Sequence, residues 1–173
     1  MTRPLAQPPA DTAPHPGGPV ITFARLPAID PDLLVAHMSD PRVIAHLPLL
    51  TDPFDAAMAA RFVAAKEACW LRDGLGHWAF LADGQYVGWG GFQKEDGEWD
   101  FGLVLTGDAF GLGRRITAQA LDFARRDARM PYVTFLLPPS RRHLGALRRL
   151  GAQPMGRVVH DGQEFLKFRL DTA

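Results

Sequence analysis

Two stretches of this chain hold residues whose types and spacing could do chemistry. The first is FGLGRR, Phe110 to Arg115, set between the apolar run DFGLVL and the helix-like run ITAQALDFARRDA. The first turn of a helix usually collects Asp and Glu, because its unpaired N–H groups carry about half a positive charge. Arg114 and Arg115 oppose that, at about 0.3–1 kcal/mol each. Gly111 and Gly113 are small enough to let an anion reach a run of backbone N–H groups at a helix start. The turn therefore reads as a seat for phosphate, with Arg114 and Arg115 pairing with its oxygens. The competing reading points both arginines to solvent, paired with Asp108 or Asp122. The second stretch is EWDFGLVL, in which strand alternation puts Glu98, Asp100 and Gly102 on one face and Trp99, Phe101 and Leu103 on the other. Its two carboxylates are either solvated edge groups or proton acceptors.

Two familiar phosphate loops do not fit the turn. A dinucleotide fingerprint needs a third glycine where Ile116 stands, and a carboxylate after the next strand, where YVTFLLPP has none. A Walker-type loop needs Gly-Lys-Ser/Thr, which occurs nowhere in the chain. What remains is a helix N-terminus opened by small residues, which suits a pyrophosphate.

The elements that must position these residues follow from turn and periodicity signals. VITFARL, Val20 to Leu26, alternates as a strand. Asp30-Pro31 and Asp52-Pro53 read as capped helix starts, the first helix running through Met38 and the second from Phe54 to about Arg72, with Asp40-Pro41 to Leu50 between them. Met58, Phe62, Ala65 and the lone Cys69 share the inward face of the second helix. HWAFLA, YVGWGGF and EWDFGLVL, separated by Asp83-Gly84 and Asp96-Gly97, predict a three-stranded meander. A helix with Ile116, Ala120, Phe123 and Ala124 on one face follows, closed by Arg125, Arg126 and Arg129. YVTFLL is a buried strand. PPSRRHLGALRRLGA holds a short helix with Leu144, Leu147 and Leu150 inward. MGRVVH and EFLKFRL form a closing hairpin around Asp161-Gly162. The four tryptophans are core candidates, and Trp89-Gly90-Gly91 marks a bulge or a close ligand approach.

The chain has 173 residues, 47% of them apolar and 22% charged, enough for one packed domain. We expect a flexible Pro/Gly-rich arm over residues 1–19 and a single domain over 20–171, built as a mixed α/β sandwich. Lys plus Arg equals Asp plus Glu at 19 each, so no global basic field calls for nucleic acid. No run is long and apolar enough for a membrane span or a signal peptide, so the protein is expected to be cytoplasmic. One cysteine allows no internal disulfide, and His37, His46 and His160 show no metal-ligand spacing.

The run Leu105 to Ala124 resembles the acyl-coenzyme-A-binding segment of the GNAT acetyltransferase superfamily, in its RimJ/RimL-like branch. Phe110 stands where that branch carries Trp, Gly111 and Gly113 match directly, and Leu121-Asp122-Phe123-Ala124 matches the helix ending. Asp40-Pro41 with Val43, the run HWAFLADGQYVGWGGF, the strand DFGLVL and the late LRRLGA agree in order and spacing, so the resemblance spans Val20 to Leu170. It departs at Arg115, a small residue in the family, and at Ser140 and His143, which replace an Asn and a Ser.

The resemblance implies a GNAT fold with a central sheet of about six to seven strands flanked by helices, and acetyl-CoA as co-substrate with no metal. Leu103, Val104 and Leu105 would hold the pantetheine and polarise the thioester. Phe110, Gly111, Leu112, Gly113, Arg114 and Arg115 would seat the diphosphate, and Ser140 would touch the cofactor. An incoming amine is an ammonium at neutral pH and needs a base. Asp100 is the first choice for it, being placed where the branch often carries a Glu, and Glu98 is the second. The family's Tyr acid has no counterpart here, since Tyr86 and Tyr132 lie elsewhere, and His143 or Ser140 is the substitute; His77 could line the acceptor pocket. The activity so implied is acetyl transfer to a primary amine, a protein N-terminus or a small molecule, by direct attack. A non-catalytic acyl-CoA-binding sensor or interaction module stands as the alternative, and the resemblance leaves room for a homodimer.

Overall fold

A computed structural model of the chain describes residues 17–141 and 144–173. Seven strands form one sheet: β1 (Ile21–Ala24), β2 (His77–Ala82), β3 (Gln85–Glu95), β4 (Glu98–Leu105), β5 (Tyr132–Leu137), β6 (Gln153–His160) and β7 (Gln163–Asp171). Five α-helices accompany them: α1 (Pro31–Met38), α2 (Pro41–Ile44), α3 (Ala56–Asp73), α4 (Gly113–Arg126) and α5 (Gly145–Arg149). The spatial order of strands is β1-β2-β3-β4-β5-β7-β6. Every neighbouring pair is antiparallel except β4 and β5, which run parallel.

Local chemistry explains most boundaries. Asp30 and Asp40 cap α1 and α2 by accepting from the N–H groups of Asp32 and Arg42 at 2.9 and 2.8 Å, each ahead of a proline. The segment expected to interrupt the first two helices thus contains a short helix of its own. The long helix starts later than its Asp-Pro signal, because Asp55 and not Asp52 takes the cap, accepting from Met58 N–H at 2.8 Å. Phe54 is buried just outside it. The three Asp-Gly pairs that close the hairpins put both residues at positive φ, the geometry that matches the twist of the flanking strands.

The sheet has two covered faces. On one, Ile116, Ala120, Leu121 and Ala124 of α4 pack on Trp78, Phe92, Trp99 and Phe101. On the other, Leu34 and Met38 of α1 and Ala59 of α3 pack on Ala79 and Trp89. All four tryptophans are buried, as expected. Three inward assignments change. Leu150 is exposed, because the helix holding it shortens to Gly145–Arg149. Ala65 is exposed and Cys69 only half-buried on α3, whose buried residues are Ala59 and Trp70. Arg129 lies beyond the end of α4, where it pairs with Asp127 and does not close the helix. Of the proposed arm, residues 1–16 lie outside the described residues.

Candidate active site

β4 and β5 share a single register pair, Asp100 opposite Thr134, and then part towards their C-terminal ends. The other edge of β4 is fully laddered to β3 from Glu98 to Leu105. Thr106 N–H donates to Val87 O at 2.9 Å, and the carbonyls of Gly102 and Val104 point at Gly90 and Gly88. In an antiparallel ladder these groups alternate, so the N–H groups of Leu103 and Leu105 turn the other way, into the gap that β5 leaves.

The phosphate turn closes one end of this gap. Residues 107–112 form a 3₁₀ stretch that runs into α4. Leu112 offers no side-chain cap and the first turn holds no acid, while the N–H of Gly113 donates to Phe110 O of the 3₁₀ stretch. A Cβ added at Gly113 would lie 3.5 Å from the side chains of both Leu103 and Leu105, which places the helix start against the end of β4; at Gly111 it would meet open space. Phe110 is 51% exposed at the rim. The alternative pairing of the two arginines fails, because Asp108 is taken by Arg42 at 3.0 Å and Asp122 by Arg125 at 2.9 Å. Arg114 is exposed, and the half-buried Arg115 lays its guanidinium against Gly18. Ser140 is exposed in the loop after β5, and His143 lies outside the described residues.

The two carboxylates of β4 share a face, as alternation requires, but their surroundings push them apart. Asp100 accepts from Thr134 Oγ1 at 2.9 Å. Burial, helped by the nearby charge of Glu95, pushes its carboxyl up to about 8 against the pull of Thr134, Lys167 and the Leu136 amide. Glu98 forms an ion pair with Lys167 and accepts from Tyr132 Oη at 3.2 Å. The Lys167 ammonium holds it below the usual carboxylate range. One carboxyl can exchange a proton near neutral pH while its neighbour stays ionised and occupied.

Beside Asp100 the face has a glycine floor, where Gly91 and Gly102 stand opposite each other on β3 and β4. His77, paired with Gly91 on β2, reaches across and covers it: the imidazole is 7% exposed, lies 3.5 Å from where a Gly102 Cβ would be, and is kept neutral by burial. Beyond Asp100, the tip of the β6–β7 hairpin reaches over the sheet, and His160 Nε2 comes within 3.4 Å of Glu95. A small open cavity there is lined by Glu95, Glu98, Thr134, Leu136, His160 and Lys167.

Sequence reasoning missed Thr134 and Lys167. Thr134 had a signal, as the single hydroxyl within the apolar run YVTFLL. Lys167 had none, since it reaches Glu98 across 69 residues of sequence. Among the described residues no group of three or more His, Cys, Asp or Glu side chains comes together as a metal site, and no helix is long and apolar enough to cross a membrane.

The one parallel strand pair of the sheet thus lies beside the start of α4, with Asp100 at their shared register position. Residues 21–153 match the model of the acetyltransferase (GNAT) domain, so the chain belongs to the GNAT acetyltransferase family and is an acyltransferase. Its fold is similar to that of Mycobacterium smegmatis RimJ in complex with CoA-disulfide, at 14% identity over 88% of this chain and 82% of that one, with a TM-score of 0.71. It is similar to RimL, a ribosomal-protein α-N-acetyltransferase in complex with coenzyme A, at 13% identity over 95% and 98% of the two chains and a TM-score of 0.68. It also resembles the aminoglycoside acetyltransferase AAC(6')-Ib in complex with coenzyme A, at 12% identity over 87% and 93%, with a TM-score of 0.67. No curated protein sequence matches the chain. The N–H groups that Leu103 and Leu105 turn away from β3, and a start of α4 with no side-chain cap and no acid in its first turn, fit an acyl-CoA, the co-substrate of this family.

Proposed function

We propose that the protein transfers the acetyl group of acetyl-CoA to a primary amine by direct attack, with Asp100 as the base. The observation that carries this reading is the position of Asp100 at the vertex where β4 and β5 part, on the face that bears the Gly91/Gly102 floor. When bound, acetyl-CoA supplies a thioester whose carbonyl carbon accepts the amine and whose sulfur leaves. The rest falls to the chain. The N–H groups of Leu103 and Leu105 donate to the pantetheine and to the thioester oxygen as it gains charge. Gly111 and Gly113 let the diphosphate approach the α4 N-terminus, and Arg114 and Arg115 add charge-assisted hydrogen bonds. Asp100 takes the ammonium proton, directly or through one water. With its carboxyl raised to about 8, the transfer from an amine of reference pKa about 8–10 is close to balanced, where general-base catalysis is most effective.

A single thiol and an acetyl-CoA donor suit the cytoplasm, which we take as the site of action. The test is release of coenzyme A thiol over a panel of primary amines. Turnover with at least one amine, lost in Asp100→Asn while acetyl-CoA still raises the melting temperature, supports the assignment. Undiminished turnover in that variant removes Asp100 as the base. Acetyl-CoA binding without thiol release for any amine would favour a sensor.

A further inference from the structure

Asp108 brings the wrong charge to the entrance of the proposed diphosphate seat. It lies in the 3₁₀ stretch of residues 107–112, one turn or about 6 Å before Gly111. A bare carboxylate there would act against an incoming diphosphate in two ways, by direct repulsion and by offering Arg114 and Arg115 an internal counter-ion. Neither arginine forms an ion pair among the described residues. Asp108 is instead engaged by Arg42 of α2, from 66 residues away in sequence.

Three features build this grip. Asp40, the cap of α2, accepts from Arg42 Nε at 3.1 Å and from Nη2 at 2.7 Å, which orients the guanidinium and leaves Nη1 for Asp108. Nη1 then donates to Asp108 at 3.0 Å. Gly107 makes room: a Cβ there would overlap Cζ, Nε and Nη2 of Arg42. Its backbone belongs to the 3₁₀ stretch and is not at positive φ, so the missing side chain serves the guanidinium and not the turn. The side chains of Arg42 and Asp108 are 56% and 90% exposed, and a bridge as open as that adds little to folding. Its consequence is the removal of a free acid from the start of α4.

We propose that Arg42 is a positioning residue of the coenzyme A seat: by holding Asp108 it leaves Arg114 and Arg115 to the diphosphate. The inference rests on the acetyl-transfer reading and adds to it a residue of α2 that acts on the cofactor through Asp108. Without Arg42, Asp108 is released beside the seat, where it competes with the diphosphate for the two arginines and repels it. Without Asp108, Arg42 has nothing left to withhold. The two residues are therefore coupled, and the coupling has a sign: the loss of the first is repaired by the loss of the second.

Calorimetric titration of coenzyme A into the full chain and its variants is the test. Arg42→Gln should weaken binding about five- to tenfold at low salt, the effect of one uncovered charge on a diphosphate at this range, and by less at about 0.5 M salt. Asp108→Ala should stay within about twofold of the parent, and the double variant should return to the same value. Gly107→Ala, which displaces the guanidinium without removing it, should follow Arg42→Gln. In thiol release the loss should appear in KM for acetyl-CoA, with kcat within about twofold of the parent. Equal affinity of the parent and Arg42→Gln overturns the inference while the acetyl-transfer reading stands. An equal loss with and without Asp108 also overturns it, since Arg42 then meets the cofactor itself. A ligand-free melting temperature of Arg42→Gln well below the parent's makes the bridge structural and overturns it too. A flat titration with the parent refutes the acetyl-transfer reading, and this inference with it.

Discussion

Exchanging Asp100 for Asn removes one charge at a place where the fold resists it, and the consequence is legible in stability as well as in rate. The carboxyl is raised from 3.8 to about 8 by burial. Each pKa unit is worth about 1.4 kcal/mol, so ionising Asp100 in the folded protein costs of order 5 kcal/mol relative to the unfolded chain. The sign follows from proton counting. Below the unfolded value both states hold the proton and the cost is absent. Between about 4 and 8 the folded state keeps a proton that the unfolded chain releases, so stability falls as pH rises; above about 8 the cost is complete. Asn mimics the protonated group and keeps an oxygen for Thr134 Oγ1. Urea unfolding of both proteins at steps from pH 5 to 9 should show the variant gaining on the parent by up to about 1.4 kcal/mol per pH unit, then levelling. On the same samples, thiol release should drop by about 10²–10⁴ in the variant, and the parent's rate should rise through an apparent pKa near 8. A stability difference that stays constant from pH 5 to 9 would refute both the raised carboxyl and the catalytic role built on it.

Glu98→Gln breaks the ion pair with Lys167 and should cost about 0.5–1 kcal/mol at neutral pH, a loss that disappears in acid as the parent's Glu98 protonates. Its thiol-release rate should stay within a few-fold of the parent, and a loss as deep as that of Asp100→Asn would move the base to Glu98. Ala at Arg114 and Arg115 should weaken coenzyme A binding about tenfold per arginine at low salt, with less difference at 0.5 M salt, as calorimetry would show. Unchanged affinity would leave the seat to the backbone alone.

Local signals in the chain determined the meander, because Asp-Gly pairs adopt positive φ at little cost and alternation then settles which residues share a face. They also determined the start of α1 through Asp30 and Pro31, the buried β5, the closing hairpin and the pairing of glycines with arginines at α4. Each of these depends on neighbours a few residues apart. The cap of α3 escaped because Asp52-Pro53 and Asp55 offer rival starts, and the burial of Phe54 decides between them. Leu150 escaped because a leucine spacing says which side faces inward but not where the helix stops.

Only the tertiary structure decided the chemistry of the site. Glu98 and Asp100 stand two residues apart on one strand face, and no local rule distinguishes them. Lys167, 69 residues away, occupies the first, and burial beside Thr134 raises the second. The same holds for the parting of β4 and β5 after one shared rung, and for the acids that Arg42 and Arg125 withdraw from Arg114 and Arg115. Charges and desolvation act through space, so the order of residues sets what each group is, and the packing of distant strands sets what it can do.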